Sequence, residues 1–356
     1  MRTSDVKYAS APTIAIFLLT SCGGSSISSA PAAGQSNQTR PINHTSSSCP
    51  CLYVANLDAP DGGSVTVYPS GASGNVKPLR KISGSKTALD NPRDVAVDAA
   101  GHVYVTGDDD AIRIYEAGAT GNVAPIQSIT GSKTLLNGPD GVAIDPVNGD
   151  IDVANAGSQS KPGGSITIYA AGSNGNVAPR AVIQGSRTRL IYPEQDRVDS
   201  SGNIYVPNYA SNTITIYAAG STGNVSPTRT IKGGRTKLTQ PEGLALDSSA
   251  NIYVSNDLGP GRDNNGTLTV YAAGANGNVA PIQFIKGRAT KLKSDVSGVA
   301  VDGSDNIYVS NGAGSTCSGC SFVTVYSSGA TGDVAPVREL KGAKTGLVGP
   351  FGITIH

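Results

Sequence analysis

The sequence predicts an all-β protein: a six-bladed β-propeller whose blades are four-stranded antiparallel sheets. A unit of about fifty residues recurs six times, clearest in Pro241–Asp247, Asn251–Asn256, Thr267–Tyr271 and Pro281–Ile285. Each unit holds four short apolar runs bounded by Gly, Asn, Asp, Ser or Pro. The runs are nearly continuously apolar, as expected when neighbouring sheets cover both faces. A fixed period of this length marks a propeller or solenoid, and radial repetition leaves only short protected edges.

The innermost strand reads Asp94–Asp98, Gly141–Asp145, Gln195–Asp199, Gly243–Asp247, Gly298–Asp302 and Gly352–His356. The second contains Leu52-Tyr-Val, Val103-Tyr-Val, Ile151-Asp-Val, Ile204-Tyr-Val, Ile252-Tyr-Val and Ile307-Tyr-Val. The third ends at Tyr68, Tyr115, Tyr169, Tyr217, Tyr271 and Tyr326, and the fourth runs near Ile82, Ile129, Ile183, Ile231, Ile285 and Leu340. The repeats begin on a second strand and finish on an innermost one. Pairing of the C-terminal innermost strand with the N-terminal strands is therefore expected to close the ring.

Three segments follow from composition. Residues 1–21 read as a signal peptide, with the apolar stretch Ile14–Leu19 too short to span a bilayer as a mature helix. Leu19-Thr-Ser-Cys22 resembles the lipobox of bacterial lipoproteins, which implies cleavage before Cys22 and its lipidation. Residues 22–48, rich in Ser, Gly, Ala and Pro, form a flexible tether, because so little apolar surface cannot offset the entropy of ordering. Residues 49–356 make the propeller. The expected location is the bacterial cell envelope, periplasmic or outer surface; the alternative is secretion with an ordinary signal. The net charge of +1 and the absence of a basic run give no reason to expect nucleic acid, and no nucleic-acid partner is expected. A monomer is expected.

The pattern Pro-x-Gly-Val-Ala-Val-Asp, Gly-Asn-Ile-Tyr-Val-x-Asn, Ile-Thr-Val-Tyr is similar to the NHL repeat, across residues 49–356. In that family the second strand usually ends in Val-Ala-Asp, where this chain has Asn. The resemblance implies the fold and leaves activity open, since the architecture hosts binding, lactone hydrolysis and lyase chemistry.

Much of the remaining sequence has a structural explanation. The repeat tyrosines serve as fillers between blades. The hairpin Gly-Asn-Val-x-Pro supplies positive φ through its Gly-Asn. Gly84-Ser-Lys-Thr87 and Gly131-Ser-Lys-Thr134 are similar to the end of a phosphate-binding loop but lack its upstream glycine spacing and following helix. Asn56, Asn155, Asn208, Asn256 and Asn311 are expected to bond their own turns. For an exported chain, Cys317–Cys320 and Cys49–Cys51 are the candidate disulfides. Asp108–Asp110 and Asp263–Asn265 are solvated turns or peripheral Ca²⁺ sites.

The loops between second and third strands vary most and share a face with the residues preceding each innermost strand. Variable loops on a rigid scaffold form the expected binding surface. The channel mouth should carry Arg93, Asp140, Glu194, Glu242, Ser297 and Phe351. One unit replaces Gly-Val-Ala with Gln195-Asp196-Arg197, charges that are costly unless paired or wet. It also supplies Tyr192 and Tyr209, the tyrosines beyond residue 49 that fall outside the repeat positions. Two readings stand: an ion pair of Arg197 with Asp196 or Asp152, and a polar ligand site built on Tyr192, Glu194, Asp196, Arg197 and Tyr209, with Arg93, Asp140 and Glu242 nearby.

Two functions follow. The first is a non-catalytic binding or scaffold module without cofactor, presenting its loop face to a protein, peptide or glycan. The sequence offers no nucleophile–base pair, and its histidines are His44, His102 and His356. That argues against the streptogramin lyases, whose similar propeller uses a catalytic His. The second is a metal-dependent hydrolase similar to the gluconolactonase and senescence-marker propellers. That resemblance implies a divalent cation such as Ca²⁺ in the channel, for which Glu194, Glu242 and Asp140 are the available ligands.

Overall fold

The structure, a computed structural model, describes residues 50–157, 163–257, 266–312 and 321–356. Six four-stranded sheets are formed, each ordered from axis to rim. Blade 1 comprises Pro350–Ile355, Cys51–Asn56, Ser64–Pro69 and Arg80–Ile82. Blade 2 is Val95–Val97, Val103–Gly107, Ala111–Tyr115 and Gln127–Thr130. Blade 3 is Pro139–Ile144, Ile151–Asn155, Ser165–Tyr169 and Ala181–Gln184. Blade 4 is Arg197–Val198, Ile204–Asn208, Thr213–Tyr217 and Arg229–Ile231. Blade 5 is Pro241–Leu246, Ile252–Asn256, Thr267–Tyr271 and Gln283–Ile285. Blade 6 is Val296–Val301, Ile307–Asn311, Phe322–Tyr326 and Arg338–Lys341. Among the described residues the helical content is one turn, Tyr209–Ser211.

Blade 1 joins the two ends of the repeat array. Leu52 pairs with Ile355 and Val54 with Ile353, antiparallel, and the Cys51 amide donates to the His356 carbonyl at 2.7 Å. The ring closes as the repeat order predicts.

The core lies between blades. Leu268, Val270 and Ile285 of blade 5 pack with Val299, Ile307 and Val309 of blade 6. Blade 6 in turn packs on Leu52, Val54 and Ile353 of blade 1. Near the axis the glycines at the repeat position let adjacent innermost strands touch. A Cβ on Gly243 would sit 2.3 Å from the Ser297 carbonyl oxygen, and one on Gly298 would sit 2.5 Å from that of Phe351. The Ser310 hydroxyl donates to the Phe351 carbonyl at 2.6 Å, stitching blade 6 to blade 1.

The Gly-x-x-Thr turns are latches. Each follows an outer strand, and its Thr hydroxyl closes it by donating to the Gly carbonyl at 2.7 Å. The Thr carbonyl then accepts from the third-strand Tyr hydroxyl of the next blade at 2.5–2.7 Å, at all six junctions. The hairpin Asn of that next blade accepts the turn's third amide, as in Lys86 N–H to Asn122 and Lys344 N–H to Asn75, both 2.7 Å. At one junction Asp333 takes this place. Only the Gly of the Gly-Asn hairpin is left-handed, for example Gly121 at φ 77°. The Asn is there for its carbonyl oxygen, which differs from the turn role expected of it.

The second-strand asparagines also bond beyond their own turn. Asn256 donates to Thr269 Oγ1 at 3.1 Å and accepts from the Thr239 amide at 3.1 Å. It thus fixes the segment entering the innermost strand, and Asn56, Asn155, Asn208 and Asn311 do the same. Cys51 is buried in blade 1. The leader, the tether, Cys22, Cys49, Cys317, Cys320 and the Asp263–Asn265 cluster lie outside the described residues.

Candidate functional site

The residue immediately before each repeat glycine position occupies the same place in every blade, so six of them ring one end of the channel. Five, Phe351, Arg93, Asp140, Glu194 and Glu242, line a single cavity of about 390 Å³ together with Tyr192, Tyr209, Ala210 and Asp257. That volume falls within the range of small-ligand sites. Ser297, the sixth, is buried beside Glu242. A larger cleft of about 550 Å³ runs between blades 2 and 3 past Asp110, Gly131, Asn137 and Gln184. Its walls are latch and strand, and its acids are already committed. Asp109 pairs with Arg113, and Asp110 accepts the Gly138 amide at 2.8 Å. Together with Asp108 these acids serve as internal partners, and among the described residues they form no peripheral cation site.

Two loops of blade 4 build one wall. The segment entering its innermost strand carries Tyr192, and the one after its second strand carries Tyr209. They are tied by the Tyr209 amide to the Tyr192 carbonyl at 3.0 Å and by the Ile191 amide to Asn208 Oδ1 at 3.0 Å. The rings lie 6.0 Å apart, tilted by 50°. Tyr192 has φ 57°, where the equivalent residues Asn91, Gly138, Gln240 and Gly349 are also left-handed. A tyrosine there costs about 1–2 kcal/mol over glycine, yet its side chain is half exposed and fills no core. The Tyr209 hydroxyl donates to Asp257 Oδ2 at 3.2 Å.

The opposite wall carries the cavity's cation. Arg93 Nε pairs with Asp108 Oδ1 at 2.7 Å, and its guanidinium lies 5.3 Å from the Phe351 ring centre. Between the walls stand Asp140, Glu194 and Glu242, each at least nine-tenths buried. Oδ1 of Asp140 and Oε2 of Glu194 accept from no side-chain or backbone donor outside their own pair. Burial, then the charges of Asp140 and Glu242, holds Glu194 well above the usual carboxylate range. Burial, then Asp257 and Asp140, does the same to Glu242. Burial also raises Asp140, against the opposing pull of Arg93. Asp140 and Glu194 approach closely enough to share a proton. The result is a set of carboxyl groups poised to ionise when a positive charge enters.

The predicted site residues thus divide in two. Arg93, Asp140, Tyr192, Glu194, Tyr209 and Glu242 come together. Asp196 and Arg197 do not line the cavity. Arg197 Nη1 donates to Asp94 Oδ2 at 2.9 Å and to the Asp196 carbonyl at 2.6 Å. Its partner is therefore neither the Asp196 carboxylate nor Asp152 but the innermost-strand acid of blade 2. Asp94 is fully buried and also accepts the Val142 amide of blade 3 at 3.1 Å. One side chain therefore ties blades 2, 3 and 4. Asp152 is buried separately, and burial followed by the charge of Asp196 pushes its carboxyl well up.

Sequence reasoning missed Asp257 and the backing role of Asp108. Asp257 opens one of the variable loops, and that was the available signal. Among the described residues no three His, Cys, Asp or Glu side chains are placed to hold a metal ion. Asp140, Glu194 and Glu242 share the cavity without being grouped as a set of three ligands.

No family model matches the sequence, and no curated protein does. Solved structures do resemble the fold. A Bacteroides caccae protein of unknown function aligns at TM-score 0.59 and 12% identity, over 86% of this chain and 99% of that one. The RRP9 WD40 repeats align at TM-score 0.50 and 12% identity, over 76% of this chain and 72% of that one. At such identities the likeness establishes a β-propeller and nothing finer.

Proposed function

We propose that this chain is an exported, lipid-anchored propeller of NHL-like ancestry that works, as a monomer and without cofactor, as a binding module. Its loop face would present a peptide, protein or glycan to the channel-mouth cavity. The observation that carries the reading is that five equivalent ring positions, occupied by Phe351, Arg93, Asp140, Glu194 and Glu242, converge with Tyr192 and Tyr209 on one cavity. A repeat under structural demand alone would keep these positions alike, as it keeps the latch residues alike. Leu19–Cys22 supports the anchor, and the tether supports display away from a membrane surface.

Two measurements test this. Labelling of the expressed chain with a radioactive fatty acid should depend on Cys22 and vanish in Cys22→Ala. Peptide and glycan arrays probed with purified protein should return ligands that Tyr192→Ala releases. Unchanged binding in that variant would remove the cavity from the function.

A further inference from the structure

We propose that the channel-mouth cavity recognises an alkylammonium group, a primary amine on an aliphatic stem of lysine-like length. This deepens the binding-module reading and rests on it.

Charge makes the first argument. Four carboxyl groups, Asp140, Glu194, Glu242 and Asp257, line the cavity with one guanidinium, and that guanidinium is already paired with Asp108 outside the lining. An anionic ligand would oppose ionisation of the carboxyl groups on blades 3 to 5. A cation would recover the desolvation that the buried acids have suffered.

Unmet hydrogen bonding makes the second. Asp140 Oδ1 and Glu194 Oε2 are buried and accept from no side-chain or backbone donor outside their own pair, and buried polar groups are ordinarily satisfied. An ammonium carries three donors and no acceptor, which matches a site offering acceptors. A metal ion held by side-chain acids needs them to converge at coordination distance, and no group of three His, Cys, Asp or Glu does so among the described residues. An ammonium needs only single acceptors at hydrogen-bond length.

The aromatic wall makes the third. Tyr192 and Tyr209 stand at the rim on linked loops, and Tyr192 keeps a left-handed backbone with its side chain half exposed. Two aromatic rings at the rim of a carboxyl-lined cavity suit an aliphatic stem whose charged head reaches down to the acids. A neutral sugar would use the rings but leave the carboxyl excess without purpose.

The test is titration calorimetry of the full purified chain at neutral pH with 1,5-diaminopentane, Nα-acetyl-lysine amide and 1-pentanol. The proposal expects the amines to bind and the alcohol to be silent. Glu194→Gln should weaken amine binding at least tenfold. Tyr192→Ala, at an exposed position where loss of folding is not a concern, should weaken it several-fold. Because burial favours the protonated forms of Glu194 and Glu242, binding should release protons, and the heat should vary with the buffer's ionisation enthalpy. Preference for the diamine marks a free amine as the source, and preference for the lysine derivative marks a peptide; either supports the proposal. Equal binding of pentanol overturns it, as does displacement of amine by stoichiometric Ca²⁺ held at the same residues. Silence of both amines overturns it as well. Array ligands that Tyr192→Ala releases would then leave the module reading intact, whereas arrays without hits would remove both.

Discussion

Asp196→Asn should change how the protein's stability depends on pH. Asp196 is fully buried just ahead of the innermost strand of blade 4, and its carboxylate oxygens meet no well-formed hydrogen-bond donor. Burial, offset in part by Arg197 and reinforced by Asp94, pushes its carboxyl from 3.8 to about 7. The folded pKa is thus above the unfolded one. The group's favourable contribution is full below about pH 4 and is lost as pH rises through about 7. A displacement of roughly three units, at about 1.36 kcal/mol each, makes the loss about 4 kcal/mol across that window. The carboxamide cannot ionise, so the variant should gain on the wild type by that amount between pH 4 and pH 8. Urea denaturation at pH 4, 5, 6, 7 and 8 on both proteins measures the difference directly. Asp98, Asp199 and Asp302, whose pKa values hydrogen bonding lowers against the opposing effect of burial, contribute the opposite slope. Their contribution cancels in the comparison. A difference that stays flat within about 1 kcal/mol would refute the reasoning and show that Asp196 is solvated.

Arg197→Ala leaves Asp94 buried opposite nothing and should cost about 3–5 kcal/mol in denaturant unfolding. Amine binding should persist at a temperature where the variant is folded, since Arg197 is outside the cavity; loss of binding there would return it to the site. Gly298→Ala forces a Cβ against the Phe351 carbonyl and the Ile353 amide, at 2.5 and 2.9 Å. It should destabilise by about 1–3 kcal/mol, read as a lowered melting temperature, and an unchanged melt would mean the blades have room to part.

Strand order, ring closure and the ring of channel-mouth residues were all readable from the repeat, because alignment of like units converts sequence position into spatial position. Tyr192 and Tyr209 stood out as departures from that alignment, and the structure brings both to the cavity. The Asp94–Arg197 pair was not readable. Its members are 103 residues apart and belong to blades that are not neighbours, and room for Asp94 is left by Gly352, where a Cβ would lie 2.2 Å from its Oδ1. Nearest-neighbour reasoning on a repeat looks only one blade away. The latch asparagines were misread for a related reason. Gly-Asn is a common turn signal, and the turn itself uses only its glycine.

The latch has a direction. The Tyr hydroxyl always comes from the later blade and the accepting carbonyl from the earlier one, including across the closure from blade 6 to blade 1. Such a head-to-tail contact is indifferent to how many units follow, and in other geometries it would generate an open filament. A seventh copy of the repeat would satisfy every latch and still have to fit around the axis. The arbiter of blade number is therefore the hub, where Gly243, Gly298 and Gly352 already allow neighbouring strands to meet. A gene duplication that lengthened this array would be accepted at the rim and decided at the centre.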